Sequence, residues 1–140
     1  MQFEKWQALG NDYIIVEQRH LGFELSTKRI ARICEFHMGV GSDGMLLLDE
    51  SDDPELVATL RIFNPDGSEA ELSGNGAREA IMYLRRSGNA QSDEFAIGTA
   101  AGVVKPRITS ATECEVQMGT ASLTSKDFPD GPPEIGRAHV

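Results

Sequence analysis

The residues whose types and spacing could support chemistry lie together in the run Ser73-Gly74-Asn75-Gly76, just before a predicted helix over Ala77–Arg86. The two glycines let the backbone turn sharply and approach a ligand closely. The start of the helix offers unpaired N–H groups and the positive end of the helix dipole, which favour a carboxylate or a phosphate. Ser73 would face that anion. A serine needs a partner to take its proton, however, and no histidine lies nearby in the sequence.

A purely structural interpretation of these residues is also open. Ser73 would then be the N-cap of the helix, and the glycines would only form a turn. In the same way, the pairs Asn11-Asp12 and Asn64-Pro65-Asp66-Gly67 are typical of ordinary turns. Spacing alone does not separate the two interpretations.

Composition narrows the class of protein. The chain has 140 residues, of which 40% are hydrophobic and 25% charged, which predicts one soluble globular domain. A net charge of -9 disfavours nucleic acid and anionic membranes as partners but leaves a small zwitterionic or anionic ligand open. The two cysteines and three histidines lack metal-ligand spacing, so no metal site is predicted. With no apolar run of ~18 residues and no signal-peptide core, the expected location is cytoplasmic.

The elements that must position these residues follow from the hydrophobic pattern. Two main helices are predicted, over Lys28–His37 (capped by Ser26 or Thr27) and Ala77–Arg86. The predicted strands are Tyr13–Val16, Met45–Leu48, Ala58–Phe63, Phe95–Gly98, Val103–Ile108 and Cys114–Met118. Strands dominate, so the fold class is α+β with a mostly antiparallel sheet. A proline-rich change in composition separates a domain over residues 1–118 from residues 119–140, which are interpreted as a linker or the truncated start of a second half.

Three stretches, LGNDYIIVE, GVGSDGMLLL and RIFNPDGSEAELSGNGAREAIMYL, occur in the order and spacing of one family. Over Met1 to about Gly119 the chain resembles the diaminopimelate epimerases. The resemblance implies a sheet curled around a central helix, two such halves in a full-length member, and an active site between them. It also implies LL to meso interconversion of diaminopimelate in lysine biosynthesis, with no cofactor. Two facing cysteines would move the α-proton, one from each half.

The resemblance also assigns roles to individual residues. Arg78 matches a family position and is expected to form a structural ion pair. Cys34 and Cys114 match neither catalytic cysteine. The implied partner is a small amino-acid substrate with carboxylates. The positions implied to bind it are Asn11 and Asn64 at its distal end, and Gly74 and Asn75 in the loop that holds its carboxylate.

Two substitutions depart from the family pattern. Ser73 stands where the first catalytic cysteine is expected. A hydroxyl is a far weaker acid than a thiol, so Ser73 is predicted not to abstract an α-proton, although it could donate a hydrogen bond or hold a water that relays a proton. Gly44 stands where some members place a glutamine that touches substrate.

Length is the third departure, because the chain corresponds to about half of a family member. The second cysteine is therefore expected to be absent, and the chain inactive alone. One hypothesis is a homodimer in which each copy replaces the other's missing half, since isologous twofold contacts are common. Two alternatives to the epimerase remain: a non-catalytic module that binds a small molecule or a protein, and another cofactor-free isomerase of the same fold.

Overall fold

Two α-helices and nine β-strands form in the part of the chain that the computed structural model describes, residues 1–117. The predicted linker over residues 119–140 lies outside this part. The helices are α1 (Thr27–Cys34) and α2 (Gly74–Ser87), and Gln18–His20 form a short 3-10 helix. The strands are β1 (Glu4–Ala8), β2 (Asn11–Glu17), β3 (Met45–Asp49), β4 (Ala58–Phe63), β5 (Glu69–Ala70), β6 (Ile97–Thr99), β7 (Gly102–Val104), β8 (Pro106–Ile108) and β9 (Cys114–Val116).

The strands form one main sheet and one separate hairpin. The main sheet has the order β1-β2-β3-β4-β6-β7, with β5 paired to β4, and the hairpin is β8-β9. Only β2–β3 and β4–β6 are parallel pairs; the other pairs are antiparallel. The predicted α+β class with a mostly antiparallel sheet is confirmed.

The apolar runs of β2 and β3 are continuous because both faces of the sheet are buried. Successive side chains of a strand point to opposite faces, and each face here has its own helix. One face packs on α2 and the other on α1, so no position in either run reaches water. The α2 side takes Tyr13, Ile15, Leu46 and Leu48; the α1 side takes Ile14, Val16, Met45 and Leu47.

Helix α2 is the central element of the fold. It packs against β1, β2, β3, β4 and β9, so strands from the main sheet and from the hairpin surround it. Its buried face carries Ala77, Ala80, Ile81 and Leu84. Ser73 caps its N-terminus, and Gly88, at φ +86°, ends it in the left-handed conformation that glycine adopts without strain. The surrounding strands therefore fix where the N-terminus of α2 lies.

The largest differences between the structure and the sequence prediction lie at the start of α2, the end of α1 and the strand predicted over residues 103–108. Helix α2 begins at Gly74 rather than Ala77, so the predicted loop is the first turn of the helix. Helix α1 ends at Cys34, because the Glu35 carboxylate accepts hydrogen bonds from the backbone N–H groups of His37 and Met38 and turns the chain. The predicted strand over residues 103–108 is split between β7 and β8, which lie in different sheets. No helix within residues 1–117 is long and apolar enough to span a membrane.

The turn that carries Asn64 depends on Gly67. Gly67 has φ +86°, and its N–H donates to the Asn64 carbonyl at 2.9 Å. A Cβ at this position would lie 2.4 Å from the Thr27 carbonyl oxygen, whereas a Cβ at Gly22 (φ +78°) would meet nothing within 4 Å. We expect Gly67→Ala to lower the free energy of unfolding by about 2–4 kcal/mol, and Gly22→Ala by about 1 kcal/mol, in urea denaturation. Equal losses would show that the contact with Thr27 has no energetic effect.

Candidate active site

Ser73 lies at the N-terminus of α2, where the structural and the functional interpretations meet. Its Oγ accepts the backbone N–H of Gly76 at 3.1 Å, so Ser73 is an N-cap. The Tyr13 hydroxyl lies 3.2 Å from the same oxygen. Gly74 and Asn75 form the first helical turn, where backbone N–H groups have no acceptor within the helix. The helix N-terminus on which the predicted anion site depends therefore begins at Gly74, with the half-buried Ser73 side chain beside it.

A directed chain of hydrogen bonds joins two of the predicted substrate-binding residues. The Arg78 guanidinium donates to Asn75 Oδ1, Asn75 Nδ2 donates to Asn11 Oδ1 at 3.3 Å, and Asn11 Nδ2 donates to Asp43 Oδ2 at 3.2 Å. A guanidinium can only donate, and an ionised carboxylate can only accept. The two ends of the chain therefore dictate which way both amides face.

Asp43 is held in turn by the backbone of Asp12. Asp43 Oδ2 accepts the Asp12 N–H at 2.9 Å, and Asp12 Oδ1 accepts the Asp43 N–H at 2.9 Å. Lys5 pairs with Asp12 at 2.9 Å. Partial burial acts to raise the pKa of Asp12, but hydrogen bonds from Lys5 and the Asp43 backbone outweigh it and lower the pKa. This end of the site is therefore a fixed, charged frame behind Asn11.

Two predicted residues are placed differently. The hydrogen bonds of Asn64 stay within its own turn: Nδ2 donates to Ser68 Oγ at 3.0 Å, and the backbone N–H donates to the Ser68 carbonyl at 2.8 Å. Asn64 is exposed, and its role in binding stays a prediction. The ion pair expected for Arg78 is not found among residues 1–117, because its guanidinium bonds to Asn75 one turn earlier on α2.

Neither cysteine supplies a reactive thiol to this site. Burial raises the pKa of the Cys34 thiol, which lies 3.6 Å from Ser42 Oγ. Burial also raises the pKa of Cys114, whose Sγ lies 3.8 Å from the Arg78 carbonyl oxygen. A raised pKa keeps a thiol protonated and unreactive at neutral pH.

Tyr13 was not predicted as a candidate site residue, because the apolar run around it is typical of an ordinary buried strand. Its ring fills the space beside Gly44: a Cβ at Gly44 would lie 2.6 Å from Tyr13 Cε1 and 2.4 Å from the Phe63 carbonyl oxygen. The ring of Tyr13 thus occupies the space that a side chain at position 44 would need. A signal was present, since a buried tyrosine hydroxyl needs a hydrogen-bond partner.

Glu79 is the second group that sequence reasoning missed. It is 2% exposed, and within residues 1–117 neither carboxyl oxygen has a hydrogen-bond partner. Burial raises its pKa to about 8, and the charges of Asp12 and Asp43 act in the same direction. The Tyr13 backbone N–H is close enough to offset part of this rise, although it does not satisfy hydrogen-bond geometry. Glu79 is therefore mostly neutral at pH 7.

The fold is shared with solved structures of an isomerase and an epimerase. Methylitaconate-delta-isomerase superposes with a TM-score of 0.64 at 15% identity, covering 94% of this chain and 38% of that one. A hydroxyproline epimerase from Agrobacterium vitis superposes with a TM-score of 0.58 at 17% identity, covering 79% and 38%. At these identities the likeness shows the fold alone, and it covers 38% of each of those two chains.

Sequence comparison gives the particular family. The family model described as diaminopimelate epimerase matches residues 3–124. Diaminopimelate epimerase 2 of Nostoc sp. strain PCC 7120 is 45% identical over 130 residues, which are 92% of this chain and 45% of the relative. The diaminopimelate epimerase of Pelotomaculum thermopropionicum is 37% identical over 140 residues, 95% and 49% of the two chains. This chain belongs to the diaminopimelate epimerase family, and it spans about half the length of the curated relatives it matches.

The buried carboxyl of Glu79 makes stability fall as pH rises. Between the ordinary value of 4.5 and the folded value of about 8, the unfolded chain has released the Glu79 proton while the native chain retains it. The free energy of unfolding therefore decreases across this window. We expect Glu79→Gln to be more stable than the parent by about 1–3 kcal/mol at pH 8 and nearly equal at pH 4.5.

Urea denaturation of both proteins at several pH values measures this difference. The matched control is Glu71→Gln, an exposed carboxyl just before α2, which should leave the pH dependence unchanged. A parallel pH dependence of the parent and Glu79→Gln would show that Glu79 is not held neutral.

Proposed function

We propose that this chain supplies one half of an amino-acid epimerase site and that the N-terminus of α2 binds a carboxylate of the substrate. The observation that carries the proposal is the meeting of Ser73, the first-turn N–H groups of Gly74 and Asn75, and the Asn11 amide at one helix end. Preorganised N–H groups at a helix N-terminus favour an anion. The match of this chain to an epimerase family supports a carboxylate as that anion.

The substrate class follows from the same proposal. The names of the relatives support diaminopimelate, a diamino-dicarboxylic acid, as the substrate. Interconversion of its LL and meso forms in lysine biosynthesis is the remaining part of the proposal. Such a molecule has a carboxylate and an ammonium at each end, so a strongly acidic protein can bind it only through local donors. Asn64 and Asn11 would hold the distal end. A cytoplasmic location, expected from the sequence, belongs to this proposal as well.

The proposed chemistry is proton transfer at the α-carbon without a cofactor. The Cα–H bond breaks, its electrons stay on the substrate and delocalise toward the carboxylate, and a base takes the proton before an acid returns one to the opposite face. Donors at the helix N-terminus stabilise the negative charge that develops on the carboxylate. The described residues place no thiol beside this helix end, since Ser73 occupies it. The base would therefore come from a second half, and the chain is inactive alone.

The hydroxyl at position 73 also favours a second candidate, a module that binds the amino acid without reacting it. The geometry of the carboxylate site is the same in both cases, because it depends on backbone N–H groups and amides rather than on a base. A different cofactor-free isomerase of this fold is the third candidate, and the shared fold of the hydroxyproline epimerase supports it.

Carboxylate recognition can be tested with related ligands that either keep or lack the two carboxylates. We expect meso-diaminopimelate and heptanedioate, which share two carboxylates, to shift the backbone amide signals of Gly74 and Asn75 in NMR titrations. The matched control, 1,5-diaminopentane, carries the amines without carboxylates and should leave these signals unchanged. Equal shifts from the diamine, or none from either dicarboxylate, would contradict a carboxylate site.

Inactivity of the isolated chain has its own measurement. In deuterated water, the α-proton signal of meso-diaminopimelate should persist with the unmodified chain, because the Ser73 hydroxyl is too weak an acid to supply a base at neutral pH. Loss of this signal would show that the chain already contains a competent base and would overturn the assignment of the base to a second half.

A homodimer that replaces the missing half is the proposed partner arrangement. Two segments carry exposed apolar side chains: Leu9 is 90% exposed, and Phe36 and Met38 are 65% and 75% exposed. Leu9 also has φ +54°, which costs a leucine about 1–2 kcal/mol. Exposed apolar surface of this kind is typical of interaction sites.

We expect the chain to sediment as a dimer at micromolar concentration and Met38→Glu to shift it to the monomer, because a charge on the contact face is costly to bury. The control is Val103→Glu, which alters a 59% exposed apolar side chain on β7. This variant should sediment as a dimer, like the parent. A monomeric parent would contradict the dimer.

A further inference from the structure

The hydroxyl of Ser73 has two neighbours that occupy its oxygen. Its Oγ accepts the Gly76 N–H at 3.1 Å, and the Tyr13 hydroxyl lies 3.2 Å away. Between the two hydroxyls, the phenol is the stronger acid and the weaker acceptor, so Tyr13 donates and Ser73 accepts. Within residues 1–117, Ser73 is the hydrogen-bond partner that the structure gives to the Tyr13 hydroxyl.

A serine hydroxyl has two acceptor lone pairs and one proton. Gly76 and Tyr13 use both lone pairs of Ser73, so only the proton is left for a ligand. We infer that Tyr13 is a positioning residue that makes Ser73 a hydrogen-bond donor, directed at an acceptor oxygen of the ligand. This inference rests on the proposed function for the identity of that oxygen, which would belong to the substrate carboxylate.

The position of Tyr13 depends on Gly44. The ring is 7% exposed and lies where a Cβ at Gly44 would approach Cε1 to 2.6 Å. A side chain at position 44 would therefore clash with the ring and with the Phe63 carbonyl oxygen, so the ring or the backbone would have to shift. The three residues form one unit, in which Gly44 admits the ring, the ring presents its hydroxyl, and the hydroxyl sets the donor direction of Ser73.

This arrangement predicts the pKa shift of an acidic side chain placed at position 73. A thiolate there would accept hydrogen bonds from the Gly76 N–H and the Tyr13 hydroxyl, and hydrogen bonds to the charged form lower a pKa. The pKa of the thiol in Ser73→Cys therefore reports whether the Tyr13 hydroxyl is placed to donate to the side chain at position 73. This readout needs no ligand, so a failed inference and a failed carboxylate site give separate results.

The experiment measures the rate of alkylation by iodoacetamide against pH, with the unmodified chain as the blank for Cys34 and Cys114. In Ser73→Cys combined with Tyr13→Phe, the thiol pKa should be higher by about 1 than in Ser73→Cys alone, or about tenfold less thiolate at neutral pH. Thermal melts confirm that each variant is folded. An unchanged or lower thiol pKa after Tyr13→Phe would overturn the inference.

The matched control is Tyr83→Phe, which removes the other tyrosine hydroxyl of the chain. That hydroxyl donates to Glu17 at 2.7 Å, away from Ser73, so its loss should leave the thiol pKa at position 73 unchanged. If Tyr13→Phe fails to fold, 3-fluorotyrosine can be incorporated into the Ser73→Cys, Tyr83→Phe double variant, in which Tyr13 is the remaining tyrosine. The fluorinated phenol keeps the ring in place and is a stronger hydrogen-bond donor. The thiol pKa should then fall, and a rise would overturn the inference.

Discussion

The burial of α2 inside a ring of strands is the constraint on which the rest of the structure depends. Strands of both the main sheet and the hairpin contact the helix. Its inner side chains are therefore fully buried: Ala77, Ala80, Ile81 and Leu84. A close-packed helix of this kind cannot slide without opening cavities. Its N-terminus is therefore held at one point, which is what an anion site made of backbone N–H groups requires.

Capping and the proposed binding would use the same hydroxyl without competing. An N-cap needs the oxygen of Ser73 as an acceptor, which the Gly76 N–H occupies. A ligand with carboxylate oxygens needs a donor, and the proton of Ser73 remains available. The same residue can therefore stabilise α2 and contact a ligand. A thiol would cap the helix less well but would ionise more easily, so the hydroxyl favours stability and binding over proton abstraction.

Much of the fold was predictable from the sequence because hydrophobic period and turn chemistry agree with it. Strand β4 was predicted to the residue, and the apolar runs of β2 and β3 were both predicted as strands. The start of α2 was missed, because Gly74 and Gly76 are poor helix formers and only the cap at Ser73 and the surrounding strands make them helical. Pro106 lies within the predicted single strand that the structure divides between two sheets.

The site was predictable only as far as its residues lie next to one another or match a family motif. Ser73, Gly74, Asn75 and Asn11 were predicted in that way, and the structure brings them together at the N-terminus of α2. Tyr13 and Glu79 were not, because their importance comes from what lies opposite them across sheet and helix. The Tyr13 ring needs the space left by Gly44, and the Glu79 carboxyl has no hydrogen-bond donor among residues 1–117. Such residues act through geometry rather than through a motif. A substitution at position 73 therefore has to be interpreted together with Tyr13, since the partner of the hydroxyl, and not the hydroxyl alone, decides whether it donates or accepts.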